Sequence, residues 1–223
     1  MSFDPNEGCW GALLANHFQR KADVIPRGYS GYNTTFCKII LPKVMKEFNV
    51  CDIAAFVLFL GANDASKATS QQHVSLDDYR KNLSEMINYL KSIGVDSSKI
   101  ILITPPMYYH QKLVDCCAKK GEPCPERENE LTRLYANTCM EVANACDVQI
   151  LHLFEEMEKQ QDWMDMLNDG LHFSKTGAKF LFDLLLPHLE ERVHKFRGST
   201  CQCFPLWREV DPEKPEKSLV NDD

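Results

Sequence analysis

The chain has no apolar run long enough to cross a membrane. Nothing in its 223 residues approaches the roughly 20 consecutive apolar positions that a transmembrane helix needs. The basic and then apolar opening of an export signal is missing too, since Met1-Ser2-Phe3-Asp4-Pro5-Asn6-Glu7 is polar and acidic. Positive charge is in deficit: 25 Lys and Arg stand against 32 Asp and Glu, a formal charge of -7. With no basic surplus to neutralise phosphates, nucleic acid is excluded as a partner. No glycine-rich phosphate loop is present, which ranks a flavodoxin-like nucleotide binder last. The chain also lacks an internal repeat and any sign of a second domain.

Cysteine, by contrast, is plentiful, with ten in the chain. In the absence of an export signal they read as small buried hydrophobes or free thiols in a reducing, cytoplasmic setting. Cys116-Cys117 with Cys124, and Cys201 with Cys203, have no partner pairs at zinc spacings, so neither a metal nor another cofactor is expected.

A content of 44% hydrophobic and 26% charged residues fits one well-filled globular domain. We place that domain at residues 1–197. Residues 198–223 read as a polar tail, rich in proline and charge around Pro212-Glu213-Lys214-Pro215, lying on the surface or disordered. Within the domain, short apolar runs alternate with helical periodicity, the pattern of an α/β protein with a parallel sheet. The expected strands are 24–25, 53–60, 100–104 and 148–153; the second is apolar on both faces, as a strand covered on both sides must be. Trp10 to Phe18 reads as helical. Leu76, Tyr79, Leu83, Met86, Ile87, Leu90 and Ile93 recur at three- and four-residue steps behind a Ser75/Asp78 capping box. Leu131, Leu134, Tyr135, Thr138 and Val142 repeat the pattern, as do Ala178, Leu181, Phe182, Leu185, Leu189 and Val193. The strand that ordinarily opens a doubly wound sheet is absent.

Three polar clusters follow strand candidates, where ligand sites form in parallel sheets. They are Gly28-Tyr29-Ser30-Gly31-Tyr32-Asn33, Gly61-Ala62-Asn63-Asp64 and Asp169-Gly170-Leu171-His172. Singly, each has an ordinary explanation: a turn glycine, a turn cap, a surface ion pair. In this order and spacing they resemble the SGNH (GDSL-like) hydrolase family, and most closely its isoamyl acetate-hydrolysing esterase branch. Ile101-Leu102-Ile103-Thr104-Pro105 and the tail motif Leu206-Trp207-Arg208-Glu209-Val210 are similar to that branch as well.

The resemblance implies a flavodoxin-like three-layer α/β/α fold with strand order 2-1-3-4-5 and a carboxylester hydrolase acting on small acyl esters. It implies that His172 is the general base and that Asp169 orients it. It also implies that the Gly31 N–H and the Asn63 amide donate to the oxyanion. The partner is a small-molecule ester; oligomeric state is left open. Acyl transfer needs these groups: a base near neutral pKa, an acceptor to fix its tautomer, and donors aimed at developing negative charge.

One block departs from the family. Its strand ending in Gly-Asp-Ser carries the nucleophile, and these 223 residues contain no Gly-Asp-Ser. Ser30 stands beside the oxyanion glycine, in a motif whose last glycine position is Tyr32, and so does not read as a nucleophile elbow. Ser66 and Ser174 read as caps, and Ser2 lies on a free end. The chain therefore reads as an N-terminally shortened, inactive form of the esterase; a pseudoenzyme with only a binding role is the alternative. The missing strand would lie between the first two strands, leaving about half a dozen backbone groups unpaired at about 1–3 kcal/mol each if buried.

Overall fold

The apolar runs form a parallel sheet, and its middle strand shows why they are apolar on both faces. The computed structural model describes residues 9–121, 123–124, 127–197 and 204–219. In it β1 (Phe56–Phe59), β2 (Ile100–Ile103) and β3 (Gln149–Leu151) pair in that order, all parallel, with Phe56 opposite Ile100 and Ile101 opposite Gln149. Every residue of β2 is fully buried. Ile101 and Ile103 point into a core shared with Leu14, Phe18, Leu181 and Leu185, whereas Ile100 and Leu102 join Leu83, Met86, Tyr135 and Val142. The two-residue alternation of a strand thus feeds two helical layers, and the fold is a three-layer α/β/α one.

Helices α1 (Trp10–His17) and α7 (Lys175–Arg197) cover one face; α3 (Leu76–Ser92) and α5 (Asn129–Ala145) cover the other. All four fall where the periodicity puts them. The Ser75 hydroxyl oxygen accepts from the Asp78 N–H at 3.2 Å and donates to the Asp78 carboxylate at 2.7 Å, so the expected cap is formed. Three further helices among the described residues are not expected from the sequence: α2 (Thr34–Met45), α4 (His110–Lys120) and α6 (Leu153–Glu158). In α2 the β-branched start and the interior Pro42 hide the helix; Asn33 caps it, its side chain accepting from the Phe36 N–H at 3.1 Å.

The expected strand at 24–25 is not one. Strands exist by sharing backbone hydrogen bonds with a neighbour, and among the described residues β1 pairs only with β2. Val24 instead packs its side chain against the α1/α7 core. The run 53–60 shortens to Phe56–Phe59 because a 3-10 turn at Val50–Asp52, capped by the Asn49 side chain, precedes it. The run 148–153 shortens because Leu153 opens α6. In the tail, α8 (Pro215–Leu219) is exposed, and the Arg20 guanidinium donates to the Phe204 carbonyl at 2.5 Å. Ser2, Cys201 and Cys203 lie outside the described residues. No described helix is long and apolar enough to cross a membrane.

Candidate active site

The Asp169–His172 pair is built by a short turn that closes on itself. Leu167 and Phe173 form an antiparallel bridge at its base. The Asn168 N–H donates to the His172 carbonyl at 2.7 Å, and the Ser174 N–H to the Met166 carbonyl at 2.8 Å. Inside it, Asp169 Oδ1 accepts from the Leu171 and His172 N–H groups at 2.9 and 2.8 Å, while Oδ2 meets His172 Nδ1 at 2.8 Å. Nε2 is thereby left as the ring nitrogen on the far side from the carboxylate. The Asp169 side chain is 12% exposed and that of His172 44%, so the carboxylate is shielded and the imidazole faces out. Burial pushes the Asp169 carboxyl up, but hydrogen bonds from the His172 ring and the two N–H groups, with the attraction of His172, outweigh it. The carboxyl is held well below the usual carboxylate range. Gly170 has φ +92°, and the Tyr109 N–H donates to its carbonyl at 2.7 Å, tying the turn to the start of α4.

The other two clusters also meet. Gly31 (φ +77°) ends a tight turn in which the Tyr32 N–H bonds the Tyr29 carbonyl at 3.2 Å. Asn63 follows β1 by way of Gly61, where φ is +117° and a Cβ would stand 2.6 Å from the Tyr79 hydroxyl, so only glycine fits. The Asn63 amide donates from Nδ2 to the Tyr32 carbonyl at 2.8 Å, which sets it against the Gly31 turn. Behind both lies Asp64, fully buried. Its Oδ1 accepts from the Thr34 N–H at 2.9 Å and from the Thr34 hydroxyl, and Asn82 donates to that hydroxyl at 3.1 Å. Burial raises the Asp64 pKa against the lowering effect of the Thr34 hydrogen bonds. Asp64 is therefore a buried tie between α2 and the loop after β1, not a turn cap.

Phe59 joins the halves. It ends β1, two residues before Gly61, and its ring stacks on Phe173, the neighbour of His172, at 6.2 Å. The dyad turn and the Gly61–Asn63 loop thus both stand at the carboxyl end of β1. Between Tyr109 on the dyad side and Arg127 on the Asn63 side opens a cavity of about 520 Å³, lined also by Lys67, Tyr108, Trp163 and Met164. Ser66 donates to the Asn63 carbonyl at 2.7 Å. Ser174 donates to the Asp165 carbonyl at 2.6 Å and accepts from the Gly177 N–H at 3.3 Å, capping α7. Ser174 is thus the cap it was read to be, whereas Ser66 caps no helix: its hydroxyl donates to a carbonyl and closes the turn after Asn63. Sequence reasoning missed Arg127 and Gln72, which bond to these loops; Arg127 lies in the acidic stretch 126–130, which reads as solvated surface.

Comparison with known proteins shows the family of the chain. The family described as GDSL-like Lipase/Acylhydrolase matches residues 2–185. The isoamyl acetate-hydrolyzing esterase 1 homolog of Homo sapiens is 40% identical over 99% of this chain and 88% of its own length. A GDSL esterase/lipase of Arabidopsis thaliana is 34% identical over 96% of this chain and 91% of its own length. Among solved structures, the lipase/acylhydrolase from Enterococcus faecalis superposes with a TM-score of 0.57 at 26% identity, covering 73% of this chain and 72% of that one. A fold of three layers, a paired aspartate and histidine at the sheet's carboxyl edge, and a family match across most of the chain converge: the protein belongs to the GDSL-like lipase/acylhydrolase family of ester hydrolases.

Proposed function

We propose that this scaffold hydrolyses small acyl esters by Ser-His-Asp chemistry, and that its own 223 residues provide everything for that reaction except the serine. The observation that carries the reading is the 2.8 Å Asp169–His172 contact in a turn that Phe173 anchors to the end of β1, the strand whose following loop carries Asn63. His172 Nε2 takes the proton of the attacking hydroxyl and later gives it to the leaving alcohol; Asp169 fixes the tautomer and stabilises the imidazolium. The Gly31 N–H and the Asn63 amide donate to the tetrahedral oxyanion. The names of the mammalian relatives support a short acetyl ester as substrate. Free thiols at Cys37, Cys51, Cys116, Cys117, Cys139 and Cys146 support a reducing, cytoplasmic location.

The absence of Gly-Asp-Ser from these 223 residues, and the edge of β1 that no other described strand pairs with, favour a second reading, a protein that binds esters or partners without turning them over. One experiment separates the two. A strand ending in Gly-Asp-Ser is added ahead of Met1, and ester hydrolysis and melting are measured on the chain, the extended chain and its Ser→Ala version. The esterase reading expects little turnover from the chain, restored turnover and stability in the extended form, and stability without turnover in the Ser→Ala form. An extension that stabilises but stays inactive sinks the assignment of the dyad. Three equal melting points sink the idea that the open edge of β1 is the place of the missing strand.

A further inference from the structure

Arg127 is only 5% exposed, and among the described residues it makes no ion pair. Its guanidinium donates to neutral acceptors alone: the Ala62 carbonyl, Asn63 Oδ1 at 3.3 Å and Gln72 Oε1 at 3.4 Å. Its Nε is buried without a partner. Burial loosens its hold on the proton, and Tyr108 and the buried Asp64 oppose this only through space. Removing a guanidinium from water to face amides costs free energy that such contacts recover only in part. The arrangement is thus expensive for a tie that an uncharged side chain could make.

What the charge reaches explains its place. On one side it holds the oxygen of the Asn63 amide, leaving the NH₂ to face the Tyr32 carbonyl at 2.8 Å. A flipped amide would set NH₂ against guanidinium and oxygen against carbonyl, so the orientation is fixed twice. On the other side Gln72 relays the contact: its Oε1 accepts from Arg127, and its Nε2 donates to the Gly31 carbonyl at 2.9 Å. The Gln72 carbonyl in turn accepts from Asn33 at 3.1 Å, fastening Gln72 to the start of α2. One guanidinium therefore touches both expected oxyanion donors, Asn63 directly and Gly31 through one amide. Pulling electron density toward Oδ1 also makes the Asn63 N–H a stronger donor.

We propose that Arg127 is the positioning residue of the oxyanion hole, setting the Asn63 amide by its oxygen and the Gly31 turn through Gln72. The inference rests on the oxyanion roles of Gly31 and Asn63 given above. It is tested by NMR of amide groups in the whole chain, with acetate as the oxyanion probe and Asn63→Asp to identify the Asn63 side-chain signals. In the wild-type chain the two Asn63 NH₂ protons are expected as separate, unaveraged signals, and acetate is expected to shift them together with the Gly31 N–H. Arg127→Lys keeps the charge but cannot fork between acceptors, Arg127→Met keeps only the stem, and Gln72→Met cuts the Gly31 arm alone. The Asn63 signals should move in both Arg127 variants, the Gly31 N–H should move in Gln72→Met, and acetate should bind Arg127→Met about tenfold more weakly, a step of about 1.4 kcal/mol. If Arg127→Met fails to fold, Arg127→Lys and Gln72→Met decide. Signals of Asn63 and Gly31 that stay in place in those folded variants overturn the proposal. Acetate that shifts neither group in the wild-type chain overturns the oxyanion reading, and the proposal with it, even where the Asn63 signals still follow Arg127.

Discussion

Gly170→Ala isolates the part of the site that local chemistry builds. The residue has φ +92°, and a Cβ added there would stand 2.4 Å from the Tyr109 carbonyl oxygen and 2.6 Å from the Leu113 nitrogen. Both are backbone atoms at the start of α4 and cannot rotate aside. Reaching ordinary contact near 3.4 Å needs a retreat of about 1 Å, which breaks the 2.7 Å bond from the Tyr109 N–H to the Gly170 carbonyl. The left-handed conformation costs an alanine about 1–2 kcal/mol, and the lost hydrogen bond about 0.5–1.5 kcal/mol. With residual overlap the total is about 2–4 kcal/mol, a large part of the roughly 5–15 kcal/mol that a domain has. At about 2–4 °C per kcal/mol the melting temperature falls by roughly 5–15 °C. Two other glycines dissect the effect. At Gly121 φ is +67° but a Cβ meets nothing within 4 Å, so Gly121→Ala shows the strain alone; at Gly28 a Cβ also meets nothing within 4 Å, and Gly28→Ala melts like the wild type or slightly higher. Thermal melting of the three variants, with the His172 ring proton followed by NMR, is the assay. A Gly170→Ala chain that melts with Gly121→Ala and keeps the His172 signal would refute the collision and with it the claim that Tyr109 locks the dyad turn.

Two aspartates should respond to acid in opposite directions. The Asp169 carboxyl is held below its unfolded value, so it contributes stability above pH about 4 that is lost as pH falls further; the advantage of wild type over Asp169→Asn in urea melts should shrink in acid. The Asp64 carboxyl is raised by burial, so the folded chain binds that proton more tightly; wild type should gain stability relative to Asp64→Asn as pH falls from neutral, and a wild type that instead loses ground to Asp64→Asn would refute the burial argument. Leu102→Ala, in the fully buried middle strand, should cost about 2–5 kcal/mol in denaturant unfolding, and a loss below about 1 kcal/mol would mean that β2 is not central.

Much of this was legible from residue pattern. The layers followed from periodicity: Leu83, Met86 and Leu90 recur at helical steps and all prove buried against Ile100 and Leu102. Asp169 and His172 were legible as a pair because three residues of turn suffice to join them. The 24–25 strand was misread because its existence depends on a neighbour rather than on Val24 and Ile25 themselves. Helix α2 was missed because its start is fixed by Asn33 and Asp64, and the second lies thirty residues away in a different cluster. Arg127 was missed for a related reason: charge pattern describes a side chain's neighbours in sequence, while its burial is set by Ala62, Asn63 and Gln72.

The turn that holds Asp169 and His172 has a consequence for how such a protein can change over generations. Its bridge, its carboxylate contacts and its histidine all lie within seven consecutive residues, and it leans on the body through Phe173 and the Gly170 carbonyl. On the function proposed above, a general base built this way is portable. Mutation elsewhere in the sheet can alter or restore the rest of a catalytic set without dismantling this pair, because the turn's own bonds are local. Gain and loss of activity then become single-segment events.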